Sequence, residues 1–201
     1  HKRPALLPAA WLLVLSVLLS GCGIGFPSAS SADPASQAWP ASHTQLSGLP
    51  LQHRMEVPLI LQNPELPNGC EATALAMALQ YYGYEADKIE LAYTYIPRED
   101  FALVNGRWTG GNPELVYPGD PAGTGYYCLP RVVAGAANRY LSRQQGTAFI
   151  VRNVTGATEA ELKACLAADT PVLAWKTIDD EPPVTNPYTA WYLSGTGELY
   201  E

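Results

Sequence analysis

The chain has 201 residues, of which 47% are hydrophobic and 15% are charged, and its formal net charge is −7. This length and apolar content suffice for one folded domain with its own core. Because the chain is acidic and has no run of basic residues, we do not expect it to bind nucleic acid.

The N-terminal segment has the pattern of a bacterial secretory signal. A basic start at residues 1–3 precedes an apolar run at residues 9–20, which is too short for a membrane span of about 20 residues. The sequence LSGC at residues 19–22 resembles a lipobox, in which cleavage precedes the cysteine and that cysteine receives a lipid. We therefore predict a signal peptide over residues 1–21 and a lipid on Cys22 that holds the mature protein at the outer face of the cytoplasmic membrane.

The segment after the lipidation site is predicted to be a flexible tether. Residues 22–54 are rich in Ser, Pro and Ala and show neither helical nor strand periodicity. The folded domain is predicted over residues 55–201.

The first elements of that domain surround a cysteine. Residues 57–62 form a short apolar run that suits a strand or an extended segment, and a turn rich in Pro and Asn follows. Positions 72, 75, 76, 79 and 82 are then apolar or aromatic and lie on one helical face. This spacing predicts a helix that begins at Cys70 and stops at Gly83.

The remaining elements alternate in type. A capping box formed by Thr158 and Glu161 predicts one helix start in this region, and Pro130 suits the first turn of another. We predict, in order, an irregular helix over 85–98, a long surface loop over 105–128, a helix over 129–141, a strand over 148–151, a helix over 158–168, a buried strand over 171–178 and a strand over 191–193. This order predicts an α+β fold in which the Cys70 helix packs against an antiparallel sheet.

Four cysteines raise the question of pairing. With Cys22 assigned to the lipid, Cys70, Cys128 and Cys165 remain, and an odd number cannot pair completely within one chain. Pairing of Cys128 with Cys165 would leave Cys70 free, whereas full reduction would leave all three free. Cys165 lies on the apolar face of its predicted helix and is expected to pack in the core.

Cys70 is a candidate nucleophile because of its position in the chain. A helix N-terminus presents free N–H groups and positive potential, which lower a thiol pKa. Gln62 lies eight residues upstream, and its side-chain amide together with the Cys70 N–H would form an oxyanion hole. The residues also permit another reading, in which Cys70 is a small packing residue and Gln62 a solvated one.

Several separated motifs resemble the peptidase C39-like family of the papain-like cysteine peptidase superfamily. They are QNPELPNGCEATALAMALQYYGY from residue 62, GDPAGTGYYCLP from residue 119 and TPVLAWKTID from residue 170. The resemblance implies a papain-like fold, a nucleophilic Cys70, an oxyanion donor in Gln62 and a peptide or protein substrate, with no metal or other cofactor.

The resemblance also implies a histidine that acts as general base and a following Asp or Asn that orients it. The three histidines of this chain, His1, His43 and His53, all precede Cys70. We expect that the chain stops before the base is reached, with the histidine encoded beyond Glu201, since the chain ends at TGELYE directly after the strand-like WYL with no closing element.

The sequence thus predicts a monomeric, surface-anchored cysteine peptidase that, when full-length, acts on peptides through an acyl-enzyme. This chain lacks the expected histidine, and we expect it to be inactive by itself. Two alternatives stay open. One is a noncatalytic binding lipoprotein with a papain-like fold, and the other is a relative that transfers the acyl group to an amine or acts as an amidase.

Overall fold

The protein is represented by a computed structural model that describes residues 48, 50, 52–177, 181–182 and 189–201. The predicted signal peptide, Cys22 and nearly all of the predicted tether lie outside these residues. Within the described ranges, no helix combines the length and apolar character needed to cross a membrane.

Short helices and short strands make up the described part of the chain, which confirms the α+β class. The helical elements are α1 (Cys70–Tyr81), α2 (Lys88–Glu90), a π-helical turn (Leu91–Tyr95), α3 (Pro130–Leu141) and α4 (Glu159–Ala167). The strands are β1 (Arg98–Glu99), β2 (Ala102–Val104), β3 (Arg107–Gly110), β4 (Tyr117–Pro118), β5 (Trp191–Leu193) and β6 (Leu199–Tyr200).

Helix α1 follows the predicted periodicity. Ala72, Leu75, Ala76 and Leu79 are all buried in the core, and burial of each leucine contributes about 1.5–3 kcal/mol. The helix ends just before Gly83, which adopts a φ of +83° that other residues rarely take. Cys70 is therefore the first residue of a helix, as predicted.

The core lies mainly between helical elements. The principal contacts of α1 are with α2, the π-helical turn and α3, and their buried apolar side chains form one cluster. We predicted that α1 would pack against a sheet. The structure places helices there instead, because the apolar faces of α1 and α3 cover each other.

The larger sheet has the strand order β2-β3-β5-β6. Its outer pairs are antiparallel, but β3 and β5 run parallel, so the sheet is mixed and not antiparallel as predicted. Strand β6 pairs with β5 and was not predicted from the sequence. A second, two-stranded sheet joins β1 to β4 in parallel.

The region predicted as one long loop over 105–128 contains β3 and β4. Asn105 and Gly106 both have positive φ, at 51° and 77°, and form the turn between β2 and β3. An Asn-Gly pair between β-forming residues is a strong hairpin signal. The loop prediction gave more weight to the surrounding Gly and Pro residues than to this pair.

Two predicted strands are absent from the described residues. Residues 148–151 and 171–177 have no regular secondary structure, and residue 178 lies outside the described part. Instead of a neighbouring strand, the Asn138 side chain bonds the backbone N–H and C=O of Val151, each at 2.8 Å. Both segments line an apolar cavity of about 560 Å³ beside α1 and α3. The apolar runs predicted strands, one of them buried, but Phe149, Ile150 and Trp175 are exposed and residues 171–173 are only half-buried, so the prediction of burial is also wrong.

The remaining helices match their predictions to different degrees. The helix predicted over 85–98 is shorter, since α2 and the π-helical turn end at Tyr95 ahead of Pro97. Helix α3 begins at Pro130, one residue after the predicted start at 129, and α4 begins with the capping box of Thr158 and Glu161. Cys165 is buried on α4, which confirms its predicted packing role.

Candidate active site

A compact turn leads from Gln62 to the first residue of α1. The Leu66 N–H donates to the Gln62 carbonyl and the Gly69 N–H donates to the Leu66 carbonyl, both at 2.9 Å. A Cβ at Gly69 would lie 2.7 Å from the Cβ of Leu66, so the turn can close only with glycine at this position. The Thr73 hydroxyl donates to the Gly69 carbonyl at 2.9 Å and fixes the first helical turn.

Cys70 is exposed and free, at the start of this helix. Its thiol donates to Oε2 of Glu71 at 3.3 Å. Although the residue is exposed, its sulfur has lost part of its hydration, and this is the largest cause of a rise in the pKa of Cys70 to about 11. The negative charge of the adjacent Glu71 carboxylate acts in the same direction. The N–H groups at the helix start do lower the pKa, but their effect is smaller. The expected depression of this thiol pKa is therefore wrong for the structure described here.

Glu71 is a buried carboxylate with both oxygens engaged. It is only 4% exposed, its Oε2 accepts from the Cys70 thiol, and its Oε1 accepts from the Cys128 backbone N–H at 2.8 Å. Burial raises the pKa of Glu71, although the backbone donors oppose this effect. Glu71 lies in the first turn of α1, where a negative charge suits the helix dipole. Its contact with Cys128 spans 57 residues and has no local sequence signal.

The loop over 117–128 is bonded to the turn before Cys70. The Tyr117 hydroxyl donates to the Asn68 carbonyl at 2.6 Å, and the Asn68 N–H donates to the Pro121 carbonyl at 2.9 Å. The Asn68 side chain also donates to the Gly123 carbonyl at 2.7 Å. Asn68, two residues before the nucleophile candidate, is thus held by the loop through three hydrogen bonds.

Gln62 lies in the same turn but does not point a free amide at the thiol. Its Nε2 donates to the Pro67 carbonyl at 2.6 Å. The backbone of Gln62 is held by Lys88, whose Nζ donates to the Gln62 carbonyl at 3.0 Å, to the Leu61 carbonyl and to Oε2 of Glu65 at 2.8 Å. Lys88 therefore fixes the backbone position of Gln62. The sequence did not predict this contact, because Lys88 lies on α2, 26 residues further along the chain.

The other candidate groups lie elsewhere. His53 bonds Oδ1 of Asp169 at 2.9 Å, beyond the end of α4. His1, His43 and Cys22 lie outside the described residues. Cys128 and Cys165 are both buried and free, so the structure does not pair them. Among the described residues, no group of three or more His, Cys, Asp or Glu side chains is arranged to hold a metal ion.

Aromatic side chains pack the 102–128 region onto the mixed sheet. Phe101 stacks on Trp108 with ring centroids 5.2 Å apart, and Tyr126 stacks on Trp191 at 5.1 Å. The buried indole of Trp191 also donates to the Gly111 carbonyl at 3.0 Å. These aromatic contacts therefore hold the segment that contains Tyr117 and Cys128 against the sheet. Trp108 is 43% exposed.

Comparison with known proteins places this arrangement in a family. The sequence model of the Peptidase_C39 like family matches residues 54–196, which include the turn, α1, the bonded loop and β5. The chain belongs to the Peptidase_C39 like family. This membership confirms the resemblance inferred from the motifs and the papain-like fold class.

A solved relative of this family member is a protein assigned as a C39-like peptidase from Bacillus anthracis. The two sequences are 38% identical, and the match covers 45% of this chain and 44% of the other, with a TM-score of 0.39. The match thus spans less than half of that relative's length. No curated protein matches the chain.

Proposed function

We propose that this chain is a cysteine peptidase whose nucleophile is Cys70. The observation that carries the proposal is an exposed, free thiol at the first residue of α1, within a chain that belongs to a peptidase family. The surrounding turn is fixed by Gly69, Thr73 and the bonds to Asn68, which hold the sulfur in a defined place. Such rigidity favours attack on a bound carbonyl.

The proposed reaction has two stages. The Cys70 sulfur attacks a peptide carbonyl carbon, the amine leaves, and water then hydrolyses the acyl-enzyme. Gln62 and the Cys70 backbone N–H are the proposed donors to the oxyanion. The position of Gln62 in the turn before Cys70 supports this role. When substrate binds, the Gln62 amide has to release the Pro67 carbonyl and rotate toward the substrate oxygen.

The test uses the full-length protein, including the sequence encoded after Glu201, with Cys70→Ala, and with Cys165→Ala as a matched control that removes a buried thiol away from the turn. We expect Cys70→Ala to abolish both hydrolysis of quenched fluorescent casein and labelling by a fluorescent iodoacetamide, whereas Cys165→Ala keeps both. Hydrolysis by Cys70→Ala at the wild-type rate would refute the assignment.

The same assay separates the alternative activities. Added hydroxylamine diverts an acyl-enzyme to a hydroxamate, so mass spectrometry of the products distinguishes transfer to an amine from hydrolysis. Saturable peptide binding without any turnover would instead indicate a binding lipoprotein.

We also propose that the protein is anchored at the outer face of the cytoplasmic membrane by a lipid on Cys22. The support is the sequence LSGC after a short apolar run. Expression of the chain in bacteria with an alkyne-tagged fatty acid tests it. The wild-type protein should carry the tag and partition into detergent, and Cys22→Ala should do neither; tagging of Cys22→Ala would exclude this site.

A further inference from the structure

Two exposed leucines lie on the segment that leads into Gln62. Leu59 is 81% exposed and Leu61 is 71% exposed, the two highest values among the large hydrophobic residues that the structure describes. Ile60, between them, packs against the core. Since these three side chains alternate between solvent and core, Leu59 and Leu61 share the solvent side and form what we call the leucine pair.

The backbone beneath the leucine pair is held in place. Nζ of Lys88 donates to the Leu61 carbonyl and, at 3.0 Å, to the Gln62 carbonyl, while Ile60 anchors the segment in the core. A surface whose support is already fixed loses less conformational entropy when a ligand covers it. The backbone of the leucine pair therefore does not have to be ordered before a ligand can bind.

The leucine pair lies directly beside the candidate active site. Leu61 is the residue before Gln62, the proposed oxyanion donor, and the Gln62 carbonyl accepts from the Leu66 N–H in the turn that ends at Cys70. The oxyanion forms on the carbonyl of the bond that is cleaved. Because each residue of an extended peptide spans about 3.3–3.6 Å, a side chain that contacts Leu61 belongs to a substrate residue within about two positions of that bond.

The chemistry of this surface favours an apolar ligand. The charged side chains that flank the leucine pair along the chain are engaged in ion pairs, Glu56 with Arg54 at 3.0 Å and Glu65 with Lys88 at 2.8 Å. An apolar side chain placed on the leucine pair removes apolar area from water. A charged side chain in the same place would lose hydration without gaining a partner.

We propose that the leucine pair is a specificity-determining surface, which binds an apolar side chain of the peptide substrate beside the cleaved bond. This inference rests on the proposed function and adds a substrate class to it, namely peptides with a bulky apolar residue near the cleaved bond. The two leucines contact that substrate residue and take no part in proton transfer or bond cleavage.

The first measurement is the preference of the wild-type enzyme. The full-length protein, including the sequence encoded after Glu201, is incubated with a positional-scanning peptide library, and mass spectrometry identifies each cleaved bond. We expect kcat/KM to be about tenfold higher for leucine, isoleucine or phenylalanine than for serine at one position within about two residues of the cleaved bond. Peptides with a charged residue at that position should be cleaved no faster than those with serine.

The double variant Leu59→Ser with Leu61→Ser should remove this preference. For peptides with the apolar residue kcat/KM should fall about tenfold, whereas peptides with serine at that position should be cleaved at the wild-type rate. A merely structural role would slow both groups of peptides alike. Leu103→Ser is the matched control, because Leu103 is 70% exposed on β2 and lies outside the segment before Gln62. It should change neither rate, and Leu61→Met should keep the preference since the apolar surface remains.

The possible outcomes separate the inference from the proposed function. The substitutions remove exposed side chains, so denaturant midpoints should stay close to that of the wild type. Equal cleavage of apolar and serine peptides by the wild-type protein, or a preference that survives in the double variant, would overturn the inference and leave the proposed function intact. Normal cleavage by the double variant with weaker binding to phosphatidylglycerol vesicles would assign the leucine pair to membrane contact, which also overturns the inference. If the wild-type protein cleaves none of the peptides, the proposed function itself fails and the inference fails with it.

Discussion

Nζ of Lys88 donates to the backbone carbonyl of Gln62 at 3.0 Å and so ties α2 to the turn that ends at Cys70. The same nitrogen reaches the Leu61 carbonyl and Glu65, and its side chain is 11% exposed. One ammonium group therefore fixes the chain on both sides of the proposed oxyanion donor.

Lys88→Met should disturb this turn. The two carbonyls lose their charged donor, a loss of about 1–3 kcal/mol of unfolding free energy, and hydrolysis should fall about tenfold as Gln62 loses its position. Glu65→Gln keeps the carbonyl contacts and removes only a half-exposed ion pair, so it should have little effect. Urea unfolding and casein hydrolysis measure both. Equal losses in the two variants would show that the ion pair, and not the carbonyl contacts, matters.

Tyr117→Phe should loosen the loop from the turn. The variant removes the hydroxyl that donates to the Asn68 carbonyl at 2.6 Å, which costs about 1–2 kcal/mol because that carbonyl loses a partner. Tyr93→Phe is the matched control, since the exposed Tyr93 hydroxyl donates at the same distance to the Asp120 carboxylate, and water can replace this solvent-exposed bond. Denaturant midpoints should separate the two variants, and a larger loss for Tyr93→Phe would contradict the argument.

Glu71→Gln should change how stability depends on pH. Burial raises the pKa of Glu71, so above the ordinary glutamate value of about 4.3 the folded protein holds this proton more tightly than the unfolded chain does. The contribution of Glu71 to stability is thus full below that value and is lost as pH rises through the folded pKa. Glutamine does not ionise, so the variant should melt a few degrees above wild type near neutral pH.

This difference in melting temperature should shrink as the pH falls toward 4, where Glu71 is protonated in both states. Thermal unfolding followed by circular dichroism across the pH range checks it, with Glu85→Gln as a control for the loss of an exposed charge. A difference that stays constant with pH would mean that ionisation of Glu71 does not weaken the fold.

Gly119→Ala and Gly83→Ala should separate steric overlap from backbone strain. Both glycines have positive φ, at 87° and 83°, so the backbone strain introduced by alanine should cost about 1–2 kcal/mol of stability at each position. At Gly119 the added Cβ would also lie 2.1 Å from the Thr124 carbonyl oxygen, whereas nothing lies within 4 Å at Gly83. Gly119→Ala should therefore lose at least about 2 kcal/mol more in denaturant unfolding. Equal losses would argue that the loop moves aside.

The features that could be predicted from the sequence are local ones. Helix α1 follows from apolar spacing and a glycine stop, and the start of α4 follows from the Thr158 and Glu161 capping box. The motifs around Cys70 also identified the family. The hairpin at Asn105 and Gly106 was signalled in the sequence and missed.

The remaining features depend on contacts between distant parts of the chain. Glu71 meets Cys128 across 57 residues, and Lys88 meets Gln62 across 26. No spacing rule relates such partners, because their approach depends on how α1, α2 and the loop over 117–128 pack. For the same reason the thiol pKa of Cys70 was misjudged: the helix start was visible in the sequence, but the buried carboxylate environment was not.

The parallel pairing of β3 with β5 has a consequence for how the protein forms. Trp191 bonds Gly111 across 80 residues, so β5 can join the sheet only after the chain that contains α3 and α4 has been made and brought back. Closing so long a loop slows this step relative to the local helices. During synthesis on the ribosome, α1 and its turn can therefore form while β3 still lacks its inner neighbour, and the Trp191 fluorescence would report the moment at which the sheet closes.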